Sequence, residues 1–176
     1  PLAIEMAANW TKLLSADAIA DAIEHNIDFL TSREQNIPER HRSMRAVYNH
    51  SWRLLFEVER QVFQKLSVFH GGFTLEAAEQ VAGATLETLA SLTDKSFLRQ
   101  DANGRYSIHE LLRQYGAEQL AQFEGTSNTI ACHAAYFADL VKGCEADLKG
   151  AEQLSALDKI EADFENIRAA WNYAIS

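Results

Sequence analysis

The chain has 176 residues, 47% hydrophobic and 23% charged, with 16 Lys+Arg against 25 Asp+Glu for a formal charge of -9. That is enough apolar material for one ordinary domain or two small ones, and it excludes a disordered segment. No apolar run approaches the roughly 18 to 20 residues of a membrane span, and Pro1-Leu2-Ala3-Ile4-Glu5 lacks the basic start of a signal peptide.

Eight Gly and two Pro leave few sharp turns, so the Ala/Leu/Glu-rich chain is expected to be mainly helical. Leu2, Ile4, Met6, Ala7, Trp10, Leu13 and Leu14 predict a nearly all-round apolar helix. Ser15 and Asp17 then offer N-cap chemistry to a second helix, whose apolar positions Ile19, Ala20, Ile23, Ile27 and Leu30 recur at three and four. The polar segment from Thr31 to Glu39 reads as a linker.

Met44, Val47, Tyr48, Trp52, Leu54 and Leu55, followed by Val58, Val62, Phe63, Leu66 and Phe69, predict two helices breaking near Phe56-Glu57. His70-Gly71-Gly72 ends the run. Thr74 caps a short helix closed by Gly83, and another short helix runs from about Thr85 to Asp94. Asn103-Gly104 between two short runs, Ser96–Gln100 and Arg105–Ile108, marks one β-hairpin. A long helix from about Ile108 to Phe123 follows. Several helices, a hairpin and a helix form the element order of a winged helix.

The last third carries two apolar stripes, one from Ile130 to Val141 and one from Leu154 to Trp171, joined near Lys149-Gly150. They predict an antiparallel helical pair of the kind that opens a repeat array continuing past Ser176. Cys132 and Cys144 on one such helix would lie ~18 Å apart at ~1.5 Å per residue, too far for a disulfide. Two thiols suit a reducing, cytoplasmic compartment. The missing initiator Met suggests a piece of a longer polypeptide.

The charge is unevenly spread: -5 over residues 1–39, +2 over 40–115 and -6 over 116–176. Only the middle third could tolerate a polyanion. Its basic residues Arg40, Arg42, Arg45, Arg53 and Arg60 are either a partly basic helix face or simply a solvated one, and the acidic flanks weaken any attraction to nucleic acid.

The sequence contains no phosphate-binding loop of the G-x-x-x-x-G-K-[ST] type, no G-x-G-x-x-G, no C-x-x-C and no H-E-x-x-H. The chain is therefore expected to be no enzyme, with no self-contained metal or nucleotide site. Ser107-Ile108-His109-Glu110 stands apart. Ser107 and Glu110 have capping-box spacing, which would start the long helix with Ser107 as N-cap and His109 in its first turn. An imidazole beside free helix amides could receive an anion such as phosphate, or could hydrogen-bond a neighbouring carbonyl.

Several segments, in order, resemble the STAND class of signal-transducing NTPases, in particular bacterial transcriptional regulators of the AfsR/SARP and LuxR-like groups. Pro1-Leu2-Ala3-Ile4 is similar to the end of a Gly-x-Pro-Leu-Ala motif, and Arg40 to Val47 with Leu66 to Glu79 is similar to the opening of the family's winged helix. Leu92 to Leu98 and Tyr106 to Tyr115 continue that likeness. His133-Ala134-Ala135-Tyr136-Phe137 and Phe164 to Ala170 extend it more loosely into the last third.

The resemblance implies three parts: 1–39 as the C-terminal part of a small helical domain beside an ATPase core, 40–124 as a winged-helix domain, and 125–176 as the start of a TPR-like helical repeat region. Ile108-His109-Glu110 matches the family's Met-His-Asp motif, whose histidine contacts the β-phosphate of ADP, and Pro1 matches the proline that packs near the adenine. ADP or ATP would then be held only in the intact parent protein, by an upstream nucleotide-binding domain of the same chain, with none retained by this segment alone. Further helical repeats and a protein or small-molecule signal are the other partners implied. The alternative is a winged helix that binds DNA directly, with Arg40, Arg42, Arg45 and Arg99 or Arg105 on phosphates. Glu87 and Asp94 beside Lys95 on the presumed recognition helix fit a DNA groove poorly.

Overall fold

The computed structural model describes residues 2–8, 10–11, 13–25, 27–31 and 43–175. Hydroxyl side chains open several of its helices, the Thr74 cap read from the sequence among them. Ser43 accepts from the Ala46 amide at the start of α3 (Met44–Arg53), Thr74 from Ala77 at α5 (Leu75–Ala82), and Thr85 from Thr88 at α6 (Leu86–Asp94). Gly83 ends α5 at φ 66°, the left-handed region that a side chain would strain.

The opening segment differs from its sequence pattern. Helix α1 spans only Leu2–Ala8, and α2 (Ala16–His25) gives way to a short 3-10 turn at Ile27–Phe29. Ile4 and Leu13 are exposed while Met6 is buried, so the apolar run is not a helix buried all round. Met6 and Leu30 instead cluster with Leu111 of α7 (Glu110–Ala121), tying this segment to the centre of the molecule. Trp10 stacks on Phe29 with ring centroids 5.0 Å apart.

The central unit runs α3, α4 (Glu57–Leu66), β1 (Gly72–Phe73), α5, α6, β2 (Arg99–Gln100), β3 (Tyr106–Ser107) and α7. The predicted hairpin forms as β2 and β3, with the Asp101 carboxylate accepting from the amides of Asn103 and Arg105, both at 2.9 Å. The sheet also has a third strand that the hairpin reading lacked. β1 pairs antiparallel with β3, Gly72 opposite Ser107 and Phe73 opposite Tyr106, giving the order β1-β3-β2. Gly71, at φ 81°, turns the chain into this strand. A two-residue strand is too short to show a period of two, so only the paired glycines marked the place.

The main core is aromatic. Phe63 meets Phe97 edge to face at 5.0 Å, and Phe69 stacks on Phe73 at 4.5 Å. Helix α8 (Thr126–Leu148) adds Phe137, and α10 (Phe164–Ala174) adds Ala170, to that same core. Each such Phe, fully buried, contributes about 3 kcal/mol of transfer free energy. The helical pair is thus packed into the central unit. Its second predicted helix is broken in two, α9 (Gln153–Ala162) and α10, at Asp163, whose side chain is drawn inward. Cys132 and Cys144, both on α8, are free thiols.

A polar tie holds α4 to α6. Buried Glu59 accepts from the Phe56 amide at 2.6 Å, the Ser91 hydroxyl at 2.6 Å and the Lys95 ammonium at 2.5 Å. Among the described residues no helix is long and apolar enough to cross a membrane.

Candidate functional site at the junction of α7, β1 and α10

Helix α7 begins two residues later than the capping-box spacing implies. Ser107 is part of β3, and His109 itself is the N-cap, at φ -62° and ψ 134°. Ser107 pairs with Gly72 on one side and Arg99 on the other, which fixes it in the sheet ladder rather than at the cap. The His109 side chain is exposed and makes no cap hydrogen bond, so the imidazole stands free at the amino end of a twelve-residue helix.

Glu110 does not reach back to Ser107. Its carboxylate accepts two bonds from Arg113, each 2.8 Å, and one from Gln114 at 3.2 Å. Burial pushes the Glu110 carboxyl up, and the Arg113 guanidinium outweighs that and holds it below the ordinary carboxylate range. Arg113 also donates to the Ser67 carbonyl at 3.1 Å.

Pro1, Arg40 and Arg42 lie outside the described residues. Arg45 is placed, and its guanidinium is taken up by Asp28 and Glu118, with Nη2 at 2.9 Å from each carboxylate. Hydrogen bonds to Glu118 and then Asp28 push its pKa further above the ordinary arginine value. Arg99 is exposed on β2. Arg105 points back into the molecule, 2.5 Å from Asp163 and 3.0 Å from the Gly72 carbonyl. Arg45 and Arg105 are thus engaged with the chain's own acceptors.

The polar centre of the junction is one that sequence reasoning missed. Asn166, wholly buried, accepts the His70 amide at 2.7 Å and donates to the Gly72 carbonyl at 2.9 Å. Its oxygen also lies 3.4 Å from Nε2 of His133, a buried histidine on α8. Burial pushes His133 down to about 4, against the raising effect of the Asn166 bond, so the ring is neutral at pH 7. His70 is half-buried and lowered as well, by burial and then by the Arg113 charge. A signal for Asn166 was present: it precedes Ala170 by one helical turn, on the face of α10 that enters the core.

Together Asn166, Asp163, Arg105 and His133 fasten α8 and α10 to the loop at 70–72, and that loop pairs with the strand leading to His109. Among the described residues there is no group of three His, Cys, Asp or Glu placed to hold a metal ion.

No family model matches the chain. It is 30% identical, over 99% of its length, to proteins of Mycobacterium tuberculosis and Mycobacterium bovis named "Putative HTH-type transcriptional regulator". The chain spans only 21% of the length of these relatives. An uncharacterized protein of Mycobacterium tuberculosis is 32% identical over 69% of the chain, which covers 34% of that protein. Among solved structures, a STAND (Signal Transduction ATPase with Numerous Domains) protein with a tetratricopeptide repeat sensor from Pyrococcus horikoshii aligns over 97% of this chain and 28% of its own. The identity is 15% and the TM-score 0.47.

Proposed function

We propose that the chain is a non-catalytic regulatory segment of a larger STAND-type transcriptional regulator. In this reading His109 meets the β-phosphate of ADP held by a neighbouring nucleotide-binding domain, and the Asn166 junction passes the nucleotide state to the helical pair. The observation that carries the reading is the position of His109: an exposed, uncapped imidazole at a helix amino terminus, two residues beyond the strand that Asn166 secures through Gly72. Pro1 would pack near the adenine. The order helix, strand, two helices, two strands, with the sheet order β1-β3-β2, supports a winged-helix reading of the central unit. The relatives' description as transcriptional regulators supports a parent protein of that kind.

The apolar groove between α8 and α10 supports further helical repeats as neighbours. It is lined by Phe137, Val141, Ile167 and Trp171, and Trp171 is 67% exposed. A protein or small-molecule signal acting on such repeats would reach the central unit through the junction.

The relatives' HTH description would also suit direct DNA binding. Two of the arginines proposed for phosphate contact, Arg45 and Arg105, are paired internally, and Lys95 is bound to Glu59, which leaves that reading less support. In the intact parent protein, His109→Ala is expected to lower the retained ADP several-fold and raise basal output. Unchanged nucleotide content would remove the His109 assignment. The 176-residue chain by itself is expected to hydrolyse no ATP.

A further inference from the structure

A cavity of about 370 Å³ lies beneath the Asn166 junction, between α7, α8, α10 and the loop that follows α4. Its volume is within the range of small-molecule sites. Leu120, Ile130 and Ala169 supply apolar wall from three different helices. The polar lining is more selective. The Ser67 hydroxyl is spent on the Gln64 carbonyl at 2.6 Å, and the Thr126 hydroxyl on the Phe123 carbonyl at 2.6 Å. Arg113 is lined up with the cavity, but its charge is matched by the bidentate Glu110 pair.

Besides the Tyr173 side chain, the polar lining that remains is two imidazoles. Among the described residues the His70 ring carries no hydrogen bond, and the His133 ring, packed against Phe69 and Phe137, makes one, to the Asn166 oxygen at 3.4 Å. Burial holds both rings toward the neutral form. A neutral imidazole both donates and accepts a hydrogen bond. A charged ligand would find no unmatched countercharge here and would lose its hydration, whereas an uncharged one with a small polar group would lose little.

We propose that this cavity is a binding site for an uncharged, amphipathic small molecule, with its apolar body against Leu120 and Ile130 and its polar group between His70 and His133. Such a ligand would touch α7 on one side and α8 and α10 on the other, so its occupancy would add to the fastening of the junction. This site is independent of nucleotide contact at His109, which lies outside the cavity lining.

Three probes of one shape separate the alternatives: benzamide (neutral), benzoate (anionic) and benzamidine (cationic at pH 7). Titration into the full chain, followed by NMR of the His70 and His133 ring protons, is expected to give saturable shifts with benzamide on the order of 1 mM. Benzoate and benzamidine are expected to bind at least roughly ten-fold more weakly. Ala169→Leu, which fills the cavity from α10, is expected to abolish the benzamide shifts, and Ala117→Leu is expected to do so from α7. The amide spectrum checks that each variant folds. No saturable shift with benzamide, equal binding of either charged probe, or benzamide shifts that survive in a folded cavity-filling variant would each overturn the proposal.

Discussion

The side-chain oxygen of Asn166 accepts the backbone amide of His70 at 2.7 Å, across 96 residues of sequence. A helix of the last third thereby takes the place of a strand partner for the loop that enters β1. The same carboxamide donates to the Gly72 carbonyl, which Arg105 also reaches, so one side chain serves two backbone groups of the loop.

Replacing Asn166 by Ala leaves the His70 amide and one bond to the Gly72 carbonyl unmet in a buried place. Urea unfolding is expected to show a loss of about 2–4 kcal/mol. Hydrogen exchange at the His70 amide is the specific readout: its protection should fall far more than that of α5 amides. Retained protection would show that another group holds the loop.

Arg105 and Asp163 form the second fastening, 2.5 Å apart, with Asp163 buried and Arg105 also on the Ala162 carbonyl at 3.2 Å. A double-mutant cycle with Arg105→Ala and Asp163→Ala is expected to return a coupling of about 1–3 kcal/mol. Additive single effects would mean that each residue acts only through its backbone contacts.

His133 sets an acid limit to stability. Its folded pKa of about 4 lies below the ordinary 6.5 of the unfolded chain, so the unfolded state takes up the proton first as pH falls. Stability is therefore full above about pH 6.5 and declines toward pH 4, by about 2–4 kcal/mol in total. An imidazole titration by NMR with a midpoint near 6.5 would contradict the buried neutral ring.

Glu59 acts at lower pH. Burial raises its carboxyl, and the Lys95, Ser91 and Phe56 donors overcome this and hold it below the ordinary carboxylate value. Its contribution is present above the unfolded value of about 4.3 and is lost as pH falls through the still lower folded one. Glu59→Gln should cost about 1–3 kcal/mol at pH 7, and the difference from wild type should shrink below about pH 4. A pH-independent difference would show that shape, rather than charge, is what Glu59 supplies.

The parts of the fold governed by local chemistry were legible. Thr74, Thr85, Gly83 and the Asp101–Gly104 turn read correctly because caps and turns act within a few residues. The sequence reading failed where long-range partners decide. Ser107 has the spacing of a cap, yet two strand neighbours claim it for the sheet, and the Leu2 to Leu14 run loses its helix after Ala8. Asp163, at the break between α9 and α10, is paired with Arg105, 58 residues away, a contact that no periodicity displays. Of the candidate site, His109 stood out by motif and lies where a contact from outside can reach it. The histidines at 70 and 133 lie far apart in sequence, and the packing of α8 and α10 onto the loop at 70–72 brings them to one cavity.

The central strand is short, and that shortness matters mechanically. From His109 the backbone passes Ile108 to Ser107, crosses one ladder rung to Gly72, and meets Asn166 through a single carbonyl. A stiff linkage with so few members has little slack in which to absorb displacement. The amino end of α7 and the buried face of α10, 57 residues apart in sequence, are thereby joined through one strand pair and one side chain.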